Sequence, residues 1–341
     1  MDENERYLSV DMPFYRERVA PVLPAKVLDF HTHLWTSEHI RTRAVESSEP
    51  GAKYMVFDDT CSAERLIADM GMLYPDRECS VVCFGMPSPM AKPRENNEYL
   101  AEVGKHPLLF PLIMAGKSMQ DPDELRRLVV EGGFYGYKVF LDWIGNEYGS
   151  VTIEDMLGKP ERALANELRL VILLHVPQDK RLADPVVQQG VQALSKECPN
   201  ANIVLAHCGR AYLPDEMTDA IDSVVDYSNV YFDTAMVMEP TVLQMAIEKL
   251  GPSRILYATD LPIARMRGRR VYVMDHWVDL VLEGYDASAY RVGSDNMRAT
   301  FMVYEIILAI HRAARMAGIT SDEENGIFFG NGMKVLGAVD S

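Results

Sequence analysis

The stretch "KVLDFHTHLWTS", residues 26–37, is an apolar run that stops at two histidines, His31 and His33, one residue apart. On a β-strand, side chains at i and i+2 leave the same face. The two imidazoles would therefore emerge together at a strand end. Outward from this stretch the chain repeats one plan. Short apolar runs lie at 26–31, 79–84, 108–114, 133–140, 169–175, 202–207, 229–234 and 254–259, rich in Val, Ile, Leu and Phe with little polar alternation. That is the pattern of parallel strands covered on both faces.

Helix-like segments fall between these runs. Residues 121–131 and 184–197 both open with Asp-Pro, and 238–250 is closed by Gly251. Asp is a good helix cap and Pro a good first helical residue. Eight strands alternating with helices predict an α/β fold, a closed (β/α)₈ TIM barrel, as one domain over 1–341. An open doubly wound sheet is the rival. Residues 35–60 are too long for an ordinary strand-to-helix loop and predict a lid insertion over the barrel mouth. Residues 295–318 predict an extra C-terminal helix outside the barrel.

Composition narrows the function classes. Hydrophobic residues make up 48% of the chain, enough for a large core, and the net charge is −16. That charge argues against nucleic acid or an anionic membrane as partner. No apolar run approaches the ~20 residues of a membrane span. The five cysteines form no CxxC pair, and residues 1–10 lack a signal-peptide core. The expectation is a reduced, cytoplasmic protein.

In a barrel of this kind chemistry collects at the C-terminal strand ends. His31 and His33 end the first run, Lys138 lies near the end of the fourth, His175 ends the fifth, His207 the sixth and Asp260 follows the eighth. Each alone has an ordinary reading: a hydrogen-bonded barrel histidine, a salt-bridged lysine, or an aspartate capping the Asp-Leu-Pro turn. One mouth collecting all of them points to a metal centre. His106, His276 and His311 fall elsewhere and read as structural or surface residues. His39, inside the lid, is a candidate substrate contact.

With "DFHTH", "GFYGYKVF", "LLHVP", "LAHCGR", "YATDLP" and "FFGNGMKVLG" in place, the chain resembles the amidohydrolase superfamily. Within it the sequence is similar to the branch containing aminocarboxymuconate semialdehyde decarboxylase and metal-dependent lactonases. The resemblance implies that His31, His33, His175 and Asp260 bind one divalent metal, with His207 beside the reacting oxygen. Zinc is the expected ion, with manganese, iron and cobalt as alternatives. In binuclear relatives a carbamylated lysine of strand four bridges two metals. Here the resemblance favours an unmodified Lys138 that orients substrate.

The mechanism this implies is hydrolysis of a lactone, amide or similar carbonyl by metal-activated water, with Asp260 and His207 as catalytic groups. The alternative is a metal-dependent non-oxidative decarboxylase (a carboxy-lyase). A second is a ligand-binding barrel without chemistry. The segment "LPIARMRGRR" and Arg210 gather cations near the mouth of an acidic protein, predicting a small anionic substrate held by Arg210 and Arg267. Trp143 is a candidate aromatic wall. The apolar tail around Met302 and Ile306 could pack on the barrel or on a second subunit, leaving a homodimer or higher homo-oligomer open.

Overall fold

A computed structural model of the chain describes residues 2–41, 60–86, 88, 90–117, 119–140, 149–273, 276–282, 290–291 and 298–338. Eight strands follow the expected runs: β1 (Lys26–His33), β2 (Glu78–Phe84), β3 (Leu109–Met114), β4 (Gly136–Val139), β5 (Val171–Leu174), β6 (Asn202–Leu205), β7 (Val230–Asp233) and β8 (Ile255–Leu256). They pair in parallel in the order β1 to β8. Backbone bonds from Phe30 N to Tyr257 O (2.8 Å), Asp260 N to His31 O (2.9 Å) and His33 N to Leu261 O (2.8 Å) close the seam between the last strand and the first. The fold is the (β/α)₈ barrel that the alternation predicts, and its closing seam brings Asp260 to the two histidines of β1.

The interleaved helices are α1 (Ala63–Leu73), α2 (Pro93–Val103), α3 (Pro122–Glu131), α4 (Lys159–Leu168), α5 (Pro185–Glu197), α6 (Pro214–Ala220), α7 (Pro240–Leu250) and α8 (Met302–Ala317). The Asp-Pro pairs act as their chemistry dictates. Asp121 accepts from Asp123 N at 3.0 Å, and Asp184 from Val186 N at 2.9 Å. Each such cap stabilises its helix by about 1 kcal/mol.

Strand side chains sort into two apolar layers. Leu28, Phe30, Val82, Phe84, Leu112, Met114, Leu173 and Val204 fill the barrel interior. Val27, Val81, Cys83, Ile113, Tyr137, Val139, Ile172 and Leu174 meet the helices. This double coverage is why the strands carry no polar alternation.

The C-terminal motif closes the barrel from below. A last helix, α9 (Asn331–Leu336), packs Val335 and Leu336 into the interior layer, and Asn202, the first residue of β6, donates to Val335 O at 2.9 Å. Gly332 allows this close approach, since a Cβ there would stand 2.7 Å from a methyl carbon of Leu28 and force it to shift. Helix α8 packs along α7, and both Met302 and Ile306 are fully buried within the chain.

Two features were not anticipated. Residues 3–19 form a helical segment. After β8 the chain makes a hairpin, β9 (Gly268–Val273) antiparallel to β10 (His276–Val281), with the short β11 (Tyr290–Arg291) alongside β10. The expected lid lies largely outside the described residues, but its ends are pinned together: Trp35 and Cys61 exchange two backbone bonds of 2.9 Å.

Candidate metal centre at the barrel mouth

His31 and His33 leave β1 as a pair, with ring centroids 5.4 Å apart, and both are buried. Their Nδ1 atoms are engaged away from each other. His31 Nδ1 meets Asp233 Oδ2 at 2.8 Å, and His33 Nδ1 meets Gly85 O at 3.1 Å. His207 repeats the arrangement, with Nδ1 2.9 Å from Ala235 O. A carboxylate and a carbonyl only accept, so each imidazole donates through Nδ1–H and carries its lone pair on Nε2.

Those lone pairs converge on Asp260. Its Oδ1 lies 2.9 Å from His33 Nε2 and 3.3 Å from His31 Nε2. Ligand atoms of His31, His207 and Asp260 all lie within 4.8 Å of one another. Unprotonated nitrogens facing a carboxylate repel it unless a cation sits among them. Burial pushes the His31 imidazole well below its ordinary range, and pushes His207 down to about 4. Burial by itself would raise the Asp260 carboxyl; positive charge at His31 and His207 and a hydrogen bond from His33 hold it low, the charge that a bound cation supplies when the rings are neutral. Neutral histidines and an ionised aspartate are the donor set of a divalent ion.

His175 stands beside this group, its ring 5.2 Å from His207. Burial, reinforced by the nearby Arg210, keeps it neutral. Its buried Nδ1 has no hydrogen-bond partner among the described residues. An orphaned nitrogen at this place fits a ligand that the protein alone does not provide. Lys138 is fully buried, with Nζ 3.3 Å from His31 Nε2 and 4.5 and 4.8 Å from the ring centroids of Phe84 and Phe140.

The other expected residues divide. Arg210 is half-buried and donates to Val176 O at 3.0 Å. Arg267 is placed elsewhere: it pairs with Asp11 at 2.8 Å and Glu3 at 3.2 Å and stacks on Phe301. It tethers the N-terminal helical segment. His39 caps its own turn, accepting from Thr36 N at 3.0 Å. Trp143 lies outside the described residues.

Sequence reasoning missed the supporting carboxylates. Asp233 ends β7 and Asp29 lies inside β1; both are fully buried. Asp29 accepts from His31 N (3.1 Å), Thr259 N (3.0 Å) and the Thr259 hydroxyl. A count of acids at strand ends would have found Asp233 in "NVYFDT". On the hairpin, Arg270 forms a two-pronged pair with Asp279 (2.8 and 2.9 Å) and lies 3.8 Å over Trp277. Trp277 packs near Tyr212, whose ring is 6.0 Å from His207.

The sequence profile of the amidohydrolase family matches residues 28–288. The chain belongs to the amidohydrolase family. No curated protein matches it significantly. Solved structures sharing the fold include a 5-carboxyvanillate decarboxylase from Novosphingobium aromaticivorans, bound to manganese and 3-methoxy-4-hydroxy-5-nitrobenzoic acid (TM-score 0.58, 15% identity, 91% of this chain and 97% of that one). A dihydroxybenzoic acid decarboxylase from a Polaromonas species, with manganese and 2-nitroresorcinol, has a TM-score of 0.55 and 18% identity over 93% of this chain and 98% of that one. An amidohydrolase from Burkholderia multivorans, solved with zinc, has a TM-score of 0.58 and 14% identity over 92% and 99%. In this family member no helix among the described residues is long and apolar enough to cross a membrane.

Proposed function

We propose that the chain is a metal-dependent carboxy-lyase that removes carbon dioxide from a small hydroxylated aromatic or unsaturated carboxylic acid. The observation that carries this reading is the surroundings of His31 Nε2: a buried ammonium against two phenyl rings, next to an ionised Asp260. That is a place for a flat anion. The decarboxylases of like fold support the choice over hydrolysis, the reaction first expected from the sequence, although both use the same groups.

His31, His33, His175 and Asp260 would hold the metal, with His207 against it. Zinc and manganese both suit this donor set. Once bound, the ion supplies positive charge that binds and polarises the substrate oxygens. Lys138 pairs with the substrate carboxylate, and Arg210 reinforces that charge from the mouth. Phe84 and Phe140 keep water from the ring. Asp260 takes the proton of the hydroxyl adjacent to the carboxylate. It returns that proton to the ring carbon as the carbon–carbon bond breaks and its electron pair passes to the ring, releasing carbon dioxide. As substrate docks, that hydroxyl donates to the Nε2 lone pair of neutral His207, which orients it before its single proton passes to Asp260.

The test is product analysis on a panel of ortho-hydroxybenzoic acids and lactones with metal-loaded protein. Carbon dioxide release, with deuterium from heavy water at the vacated carbon, supports the reading. Acid release from lactones without carbon dioxide overturns it in favour of hydrolysis. No turnover and no bound metal would leave a ligand-binding barrel.

A further inference from the structure

We propose that Asp233 is the positioning residue of this centre, one carboxylate that sets the tautomer of His31 and clamps the backbone that presents His207. The inference rests on the metal centre proposed above. Asp233 is fully buried at the end of β7. Its Oδ2 accepts from His31 Nδ1 at 2.8 Å. Its Oδ1 accepts from the backbone N–H of His207 at 2.6 Å and of Ala235 at 3.1 Å. Its backbone oxygen accepts from the Cys208 thiol at 3.4 Å. The two histidines of the tight group are thus held by one three-residue segment, 233–235, because Ala235 O also takes His207 Nδ1.

The His207 side of this clamp opposes strain. Residues His207, Cys208, Gly209 and Arg210 have φ of 56°, 52°, 69° and 63°, a complete left-handed turn. Left-handed backbone costs about 1–2 kcal/mol for each non-glycine residue. Gly209 spares one such cost, and a Cβ there would also stand 2.6 Å from Leu182. Such a turn persists only where its surroundings over-determine it. The bonds from segment 233–235 to His207 and Cys208 do that.

On the His31 side the carboxylate decides which nitrogen carries the proton. With Oδ2 accepting, the proton stays on Nδ1 and Nε2 keeps the lone pair that faces Asp260. Asp233→Asn preserves shape and inverts this logic. The two backbone N–H groups require the amide oxygen, so the amide NH₂ faces His31 Nδ1. The ring must then accept there and carry its proton on Nε2, the atom meant for the metal.

The experiment titrates Co²⁺ into metal-free wild type and Asp233→Asn, following the visible absorption of bound cobalt and checking fold by circular dichroism. Expected is a folded variant with metal affinity about 10–100-fold weaker and an altered cobalt spectrum. A folded variant with wild-type affinity and spectrum overturns the proposal. Should the variant not fold, long-range ¹H–¹⁵N correlation on the metal-free wild type decides instead, with His31 assigned by His31→Gln. A proton on His31 Nδ1 supports the assignment and a proton on Nε2 overturns it. Failure of the wild type itself to bind cobalt would remove the metal reading, while the tautomer measurement still decides the role of Asp233.

Discussion

The ammonium of Lys138 lies 3.3 Å from Nε2 of His31, the same atom that faces Asp260. A cation cannot stay on that lone pair once a divalent ion takes it. In the proposed reaction the ammonium then pairs with the substrate carboxylate. Lys138→Met, of similar volume, should raise KM about 10–100-fold, the range expected for one charge-assisted bond. Metal affinity should hold or rise, because a like charge is removed. One bound metal per chain is expected; two equivalents appearing only with bicarbonate would instead favour a carbamylated Lys138.

In the proposed centre Asp260 is both metal ligand and proton carrier, and it is held in a left-handed conformation at φ 76°. Asparagine tolerates that backbone, so Asp260→Asn should fold. Turnover should fall by about 10²–10⁴-fold, the usual worth of a positioned proton transfer, while weakened metal binding stays measurable by elemental analysis. Full activity in a metal-loaded variant would remove Asp260 from the chemistry.

All eight strands and the Asp-Pro-capped helices were legible because each rests on a local rule: apolar runs for covered strands, Asp-Pro for helix starts. The strand-end histidines were legible for the same reason, although His175 and His207 sit just past β5 and β6 rather than inside them. What stayed hidden depends on partners far along the chain. Arg267 looks the same in "RMRGRR" whether it faces a substrate or Asp11, its actual partner 256 residues away. Asp233 reads as an ordinary strand end until folding sets it against His31, 202 residues away. The hairpin after β8 was hidden by its arginines, which drew attention to charge where the alternation of "GRRVYV" and "HWVDLV" marks strands.

Asp29 joins β1 to the segment after β8, since it accepts from Thr259 through both the backbone and the hydroxyl. Burial raises its carboxyl to about 7, against the pull of these donors. Thr259→Val keeps the volume and removes the hydroxyl donor. It also strips Leu261 N of its acceptor at 3.2 Å. With buried groups left unsatisfied, stability should drop by about 1–3 kcal/mol or more, read as a lower urea midpoint at unchanged slope. An unchanged midpoint would mean that the barrel seam does not depend on this contact.

The cysteines give a prediction at the alkaline end. All five are free and buried. Burial pushes the Cys79 and Cys83 thiols well up, and pushes Cys198 up to about 11. Below pH ~8.5, the ordinary thiol value, both folded and unfolded chains keep these protons. Above it the unfolded chain gives them up first, while the folded chain holds them until its own higher values are reached. The unfolded state then binds fewer protons, so stability falls as pH rises, by about 1.4 kcal/mol per pH unit for each thiol in that window. Urea midpoints should therefore drop between pH 8 and pH 10.5, and a thiol reagent at pH 8 should label the native protein only as fast as it opens. A Cys198→Ser variant should show a shallower alkaline decline than the wild type. Equal slopes in the two would show that the Cys198 thiol ionises as readily in the folded chain as in the unfolded one.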